Sequence, residues 1–379
     1  MENPNAWTTL LQFHQRAYSK SPNGEAGLAA VRKVHELFGP DWNCTYEPQH
    51  YLKHRLWTAN EPSYGWLVHF AQKLEFLSTI PGSGDIISRL DNRASYWAAW
   101  SELDFTLKLA LGGFDCRFIP TSRASPTPDL LATRDQLTLI AEITSMNPMP
   151  REGLSFGIFM AVEMAALRQR ATVRGFFSRV PSELELDQIE DKVREASKEA
   201  NEKKRPIKVN MHGLMTVFVA PRDLVSEIPA RWRDGFSMKG FHRVPLADRL
   251  ARTIREKVKA QLGESKTALV AIYDQLSFEK LFGPREEEKF FEDPAIELLL
   301  GTYPNLLGAV LIQPLVSVLE LETKRTVAEE GILLEHSLPD FEAERCVVWR
   351  NLLSDDSSSL NLLVDCLENF PARLRLLYK

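Results

Sequence analysis

Through the middle of the chain, short apolar β-rich runs alternate with longer stretches of helical periodicity, and few architectures accommodate that order. "FDCRFIP" (114–120), "LTLIAEIT" (137–144), "HGLMTVFVAP" (212–221), "KTALVAIYD" (266–274) and "LLGAVLIQP" (306–314) read as strands. Between them, "LSFGIFMAVEMAALRQR" (154–170), "ELDQIEDKVREASKEANEKKR" (185–205) and "LADRLARTIREKVKAQL" (246–262) read as helices, the second on a narrow stripe of Ile189, Val193, Ala196 and Ala200. Strands and helices taken in turn bury their apolar faces most simply as an α/β layered core.

Upstream, residues 1–90 are helical in pattern and rich in aromatics. Trp66, Phe70, Leu74 and Leu77 recur at three- and four-residue steps, and "PGSG" (81–84) interrupts the chain. A further helix starts at Asp91 or Asn92, carries an apolar stripe of Tyr96, Trp100, Leu103, Leu107 and Leu111, and stops at Gly112 and Gly113. Asp104 and Lys108, one turn apart on it, are assigned to its solvated side. After about residue 317 acids outnumber bases. The organisation expected is a helical N-terminal subdomain (1–90), an α/β core (91–316) and a C-terminal extension (317–379).

The 379 residues are enough for one large core or two ordinary domains. A net charge of −5 excludes a uniformly basic coat but is silent on local patches. Cys44, Cys116, Cys346 and Cys366 form no C-x-x-C pair, which disfavours a zinc knuckle or disulfide framework and suits a reducing cytosol. "MENPNAWTTLLQFHQR" lacks the pattern of a secretory signal, and the longest apolar stretch is broken by Gln313 and Pro314. The expectation is therefore a cytoplasmic protein with no membrane partner.

The chemistry concentrates in "TPDLLATRDQLTLIAEITS" (127–145). Asp129 follows Pro128 at the start of one strand. Glu142 stands in the next strand, flanked by apolar residues on both faces, and a carboxylate buried there without compensation costs several kcal/mol or more. If the two strands pair as a hairpin around "TRDQ", the two acids converge at one end, where a hard divalent cation is one candidate for the compensating charge. A third acid, Glu102, lies on the semi-buried side of the preceding helix among Ala98, Ala99, Phe105 and Leu109. The bland alternatives are a turn residue for Asp129, an edge-strand charge for Glu142 and an ion pair with an arginine such as Arg123 for Glu102.

A Glu-bearing helix, a glycine stop, a strand, a Pro-Asp strand and a strand ending in Glu-x-x is an order that resembles the PD-(D/E)XK nuclease superfamily. The resemblance runs from about Ser95 to Ser145 and more loosely to Asp274. It implies a restriction-endonuclease-like mixed sheet flanked by helices, and phosphodiester hydrolysis with Mg²⁺ or Mn²⁺. By the same resemblance Asp129 and Glu142 would hold the metal with Glu102 assisting. The chain departs from the pattern at one position: the family's lysine should stand at 144, and Thr144 carries no charge. Lys257 and Lys259, in "REKVKAQL", are the remote replacements, and Lys257 is taken as the catalytic one.

Between Arg231 and Lys259 nine Lys/Arg stand against three acids, with Trp232 and Phe236 interleaved. Arg249, Arg252, Arg255 and Lys259 on one helix are the expected phosphate contacts, and a solvated helix face is the plain alternative. Nucleic acid, DNA ahead of RNA, is the expected partner, with protein partners or a second copy left open. The absent lysine supports a second reading, a catalytically impaired nuclease-fold protein that binds nucleic acid or assembles with other proteins. "GESKT" (263–267) lacks the glycines of a phosphate loop, and His50 and His54 lack the acid of a zinc helix.

Overall fold

The computed structural model describes residues 6–18, 24–47, 50–58, 61–120, 127–146, 158, 161–163, 165–232, 236–238, 246–262, 267–274, 300–303, 306–315, 324–328, 331–339, 343–351 and 357–378. It divides into two compact units, 1–146 with 246–275 and 289–379, and 147–245 with 276–288. No boundary falls near 90 or 317. The contacts, rather than the composition, set the division.

In the first unit, helices α1 (Ala6–Tyr18), α2 (Gly24–Phe38), α3 (Tyr51–Leu56), α4 (Glu61–Ser78) and α5 (Ser83–Ser88) lead into α6 (Tyr96–Leu111). The stripe of Trp66, Phe70, Leu74 and Leu77 is buried in one cluster with Leu103 and Leu107 of α6 and with Leu139, Ala141 and Ile143 of the sheet. The N-terminal helices therefore share a core with the sheet and are not a subdomain of their own. α6 ends as its two glycines predict. Gly113 takes φ +88°, its N–H bonds to Ala110 and the Phe114 N–H bonds to Leu109, the paired arrangement that closes a helix with a left-handed residue.

Strands β1 (Asp115–Phe118), β2 (Leu130–Arg134) and β3 (Leu137–Met146) follow as an antiparallel meander. The chain then passes through the second unit. It returns by a helix at Leu246–Lys257 to β8 (Ala268–Asp274), parallel to β3, and β9 (Leu306–Leu315), parallel to β8. The C-terminal residues are no peripheral extension. β10 (Lys324–Val327), β11 (Gly331–Ser337) and β12 (Ala343–Arg350) complete an eight-stranded mixed sheet in the order β1-β2-β3-β8-β9-β12-β11-β10. Two acids of this segment are buried and paired: Glu335 with Arg345, and Glu344 with His336 and Lys108.

Lys108 and Asp104 likewise leave the solvated side assigned to them. Lys108 is fully buried and sits 2.5 Å from Asp104 and 3.0 Å from Glu344, over the ring of Phe370. Tyr273 donates to Asp104 at 2.6 Å. Most of α6 from Ser101 to Leu109 is buried, so polarity along it does not mark a solvent face. Charges this deep persist only when paired and hydrogen-bonded.

The second unit holds β4 (Ala171–Phe177), β5 (Ile207–Met211), β6 (Met215–Pro221) and β7 (Phe236–Met238) in the order β5-β6-β4-β7. Helix α7 (Glu183–Lys203) starts at a reciprocal Ser182–Glu185 cap and covers one sheet face with Ile189, Val193 and Ala196. The expected helix at 154–170 lies partly outside the described residues; 161–163 and 165–167 are helical. The helix at Leu246–Lys257, in the first unit, is α8. Among the described residues no helix is long and apolar enough to cross a membrane, and the four cysteines are buried and free.

Candidate carboxylate site

The hairpin positions the first two acids by register alone. Leu130 pairs with Ala141, so Asp129 stands one position further along, opposite Glu142, and its N–H bonds to the Ala141 carbonyl at 3.1 Å. Residues directly opposite in an antiparallel pair point to the same face. Asp129 Oδ2 accepts the Ile143 N–H at 2.8 Å, which pins its carboxyl against the backbone of β3. Glu142 is no edge-strand charge: β3 lies between β2 and β8, and the residue is 1% exposed.

Lys257 comes in from the other side of the crossover. Parallel pairing of β3 with β8 lays α8 over the face that carries Glu142, with Leu250, Ile254 and Val258 packed against Val270 and Ile272. From this helix Lys257 Nζ reaches Glu142 Oε1 at 2.7 Å. The turn directly after it, Val258–Leu262, is a π turn, a widening often found where a helix presents a functional side chain. Thr144, at the position the resemblance reserves for lysine, is half-buried. Lys259 is exposed.

Glu102 arrives from α6 and is 5% exposed. Its carboxyl is held by Arg89, from the short turn Arg89–Asp91, and Arg89 keeps 39% of its side chain exposed. Arg123 lies outside the described residues. No sequence pattern singles out Arg89, because it stands thirteen positions before Glu102 on a different element.

The electrostatics separate the three acids from ordinary surface carboxylates. Burial, and then the Asp129 charge, raise Glu102 to about 7 against the pull of Arg89 and Lys257. Burial and Asp129 also raise Glu142, to about 8, with Lys257 pulling the other way. Asp129 is raised by burial too, and the Ile143 N–H and Lys257 only partly offset this. Glu142 Oε2 is buried and meets no hydrogen-bond donor among the described residues. Beside it is the Asp129 carboxyl, and the pair can relieve their repulsion by sharing a proton.

An orphaned buried carboxylate oxygen next to a second carboxylate is an all-oxygen, excess-negative donor set, and it fits a hard divalent cation. Glu102 does not extend that set, because its carboxyl is engaged by Arg89. Among the described residues no three His, Cys, Asp or Glu side chains are grouped to hold a metal ion. Asp129 and Glu142 are thus a two-residue donor set with a lysine on one side and an arginine-bound glutamate on the other.

Along α8 the expected phosphate contacts divide. Arg252, Arg255 and Lys259 are exposed, Arg249 is half-buried, and Arg252 is paired with Glu256 at 2.8 Å. No family model, no curated protein and no solved structure matches this chain.

Proposed function

We propose that the first unit hydrolyses phosphodiester bonds in nucleic acid at Asp129, Glu142 and Lys257, in the manner of the PD-(D/E)XK nucleases that its sequence resembles. One observation carries the reading: Lys257 Nζ lies 2.7 Å from Glu142, so an ammonium group from α8 stands beside the acid where Thr144 has none to offer. The order of elements supports it as well. A Glu-bearing helix, a strand, a Pro-Asp strand, a Glu-bearing strand, and then a Lys-bearing helix before a further apolar strand are the order the resemblance implies. They occur here in one mixed sheet with its flanking helices.

In this reading Asp129 and Glu142 would hold Mg²⁺ or Mn²⁺, which when bound polarises a phosphoryl oxygen and lowers the pKa of a coordinated water. The rest belongs to the chain. Lys257 offers positive charge and N–H donors towards the charge that develops on the attacked phosphate. The Ile143 N–H fixes the Asp129 carboxyl, so its geometry needs no reorganisation. Glu102 anchors Arg89, whose half-exposed guanidinium is a cation at the rim. Exposed Arg252, Arg255 and Lys259 supply sequence-independent phosphate contacts.

Cleavage of single- and double-stranded DNA and RNA with Mn²⁺ or Mg²⁺ tests the reading. Asp129→Asn and Lys257→Ala should each reduce the rate by about a hundredfold or more. Equal rates in wild type and both variants would remove the enzyme. The second reading, a nuclease fold kept as a nucleic-acid-binding or assembly module, draws on the small donor set and on Glu102 being held by Arg89. Titration calorimetry with Mn²⁺ separates the two: heat that is lost in Asp129→Asn belongs to the enzyme, and the absence of any heat belongs to the binding module.

A further inference from the structure

The second unit presents an aromatic sheet face that the carboxylate site does not use. Val173, Phe177, Met215, Val217 and Val219 point into the core beneath α7, so the alternate residues of β4, β5 and β6 point the other way. In register, Lys208, Phe218 and Arg174 form one row across the three strands, and Asn210, Thr216 and Phe176 form the next. Phe176 and Phe218 lie on the two interior strands, yet both are only half-buried and, among the described residues, neither belongs to an apolar core.

Trp232 enlarges this surface. The ring is half-buried, its centroid lies 6.1 Å from that of Phe218, the Arg231 guanidinium stands 5.2 Å over it, and its indole N–H is buried and meets no acceptor among the described residues. Lys208 and Arg231 are exposed at the margins. Arg174 is held inward by Glu163 and Thr172, so it stiffens the row and is not free to move to a ligand.

Charge is segregated in the same sense. α7, on the covered face, carries eight acids and four bases. Outside it, the described residues of this unit carry nine Lys/Arg against Glu163, Asp223 and Glu227. Arg179 is paired with Glu185 of α7 and Arg174 with Glu163, so the cations on this side are Lys208 and Arg231 at the margins of the rings. A ring-bearing face with cations at its edge suits a polyanion that also offers flat apolar groups. A duplex turns its base faces inward, so only unpaired bases can lie on rings fixed in a sheet.

We propose that this face binds single-stranded nucleic acid, with bases stacked on Phe218, Phe176 and Trp232 and phosphates met by Lys208 and Arg231. The proposal does not depend on whether Asp129 and Glu142 cut anything. Anisotropy of labelled single-stranded DNA and RNA oligonucleotides, with the matched duplexes, tests it on the full chain in EDTA, where metal-dependent cleavage cannot intervene. Single strands should bind at least about tenfold more tightly than duplexes, and the DNA and RNA arms tell which sugar is preferred. Phe218→Ala should weaken binding by about tenfold or more, while Phe218→Tyr, which keeps the ring, should stay within about twofold. Lys208→Gln, at an exposed position that leaves the fold intact, should lower the slope of log affinity against log salt by about one. Binding that is equal for duplex and single strand, unchanged in both Phe218→Ala and Lys208→Gln, or lost as fully in Phe218→Tyr as in Phe218→Ala would overturn it. Loss of the circular dichroism of Phe218→Ala leaves Lys208→Gln to decide.

Discussion

Glu102 and Asp104 stand two positions apart on α6, and each serves a cluster of buried charge built on a different plan. Around Asp104 the charges close on themselves. Lys108 lies between Asp104 and Glu344, Tyr273 donates to Asp104, and His336 sits 2.9 Å from Glu344. Burial works against the Glu344 carboxylate, but Lys108 and His336 outweigh it and hold its pKa down at about 2. Around Glu102 the balance is reversed: burial and mutual repulsion win, and Glu102, Asp129 and Glu142 are all raised. One cluster spends its charge on the fold, and the other keeps a surplus that a cation can use.

The largest effect should come from breaking the closed cluster. Lys108→Met leaves two carboxylates in the core without their cation and should destabilise the first unit by about 3–5 kcal/mol in urea unfolding. Glu142→Gln should act with the opposite sign, raising stability by about 1 kcal/mol because it removes a repelling charge that the fold had to tolerate. The same substitution should abolish the proposed nuclease activity. A stable, active Lys108→Met, or a Glu142→Gln that unfolds as easily as Lys108→Met, would erase the distinction between the clusters.

Acidity sharpens the contrast. Glu344 has a depressed folded-state pKa, so its contribution is complete above about pH 4.5 and disappears as pH falls towards 2. Glu142 has a raised one, so its contribution is complete below about pH 4.5 and disappears as pH rises through about 8. Subtracting the stability curve of Glu142→Gln from that of the wild type should expose a decline between pH 4.5 and 8, with a slope of at most about 1.4 kcal/mol per unit. A difference curve flat across that window would show that Glu142 is ionised at no cost.

The sequence makes the open cluster easier to find than the closed one, and the reason lies in distance along the chain. Asp129 and Glu142 belong to one hairpin, and two apolar runs around a polar turn are enough to set them opposite each other. The C-terminal limit of α6 is local too, written in Gly112 and Gly113, whereas the helix starts after Ser95 and not at the expected Asp91 or Asn92, which belong to the preceding turn. Lys257 is 115 positions from Glu142 and was reached only through the resemblance, which asks for a lysine that Thr144 does not provide. Arg89 had no signal at all. Asp104 and Lys108 pointed the wrong way, because a turn-spaced ion pair normally marks a solvated face and nothing nearby in sequence announces Tyr273, His336 and Glu344 as partners. The domain limits failed for a related reason: the acids of β11 and β12 pair across strands inside the sheet, where composition cannot see them.

The smallest effect asks whether α6 really divides the two clusters. Positions 102 and 104 are separated by about 200° around a helix, so one residue can face each cluster without disturbing the other. Asp104→Asn weakens the hold on Lys108 and on the Tyr273 hydroxyl, and should cost about 1–3 kcal/mol. Glu102→Gln loses its charged bond to Arg89 but also loses its repulsion with Asp129, and the two should cancel to within about 0.5 kcal/mol. Its effect on the proposed cleavage should be several-fold, because the Arg89 guanidinium would no longer be held by Glu102, whereas Asp104→Asn should leave that rate unchanged in the folded protein. Equal destabilisation by the two substitutions, measured side by side in urea, would mean that Glu102 is one more closed ion pair and that the surplus charge rests on Asp129 and Glu142 alone.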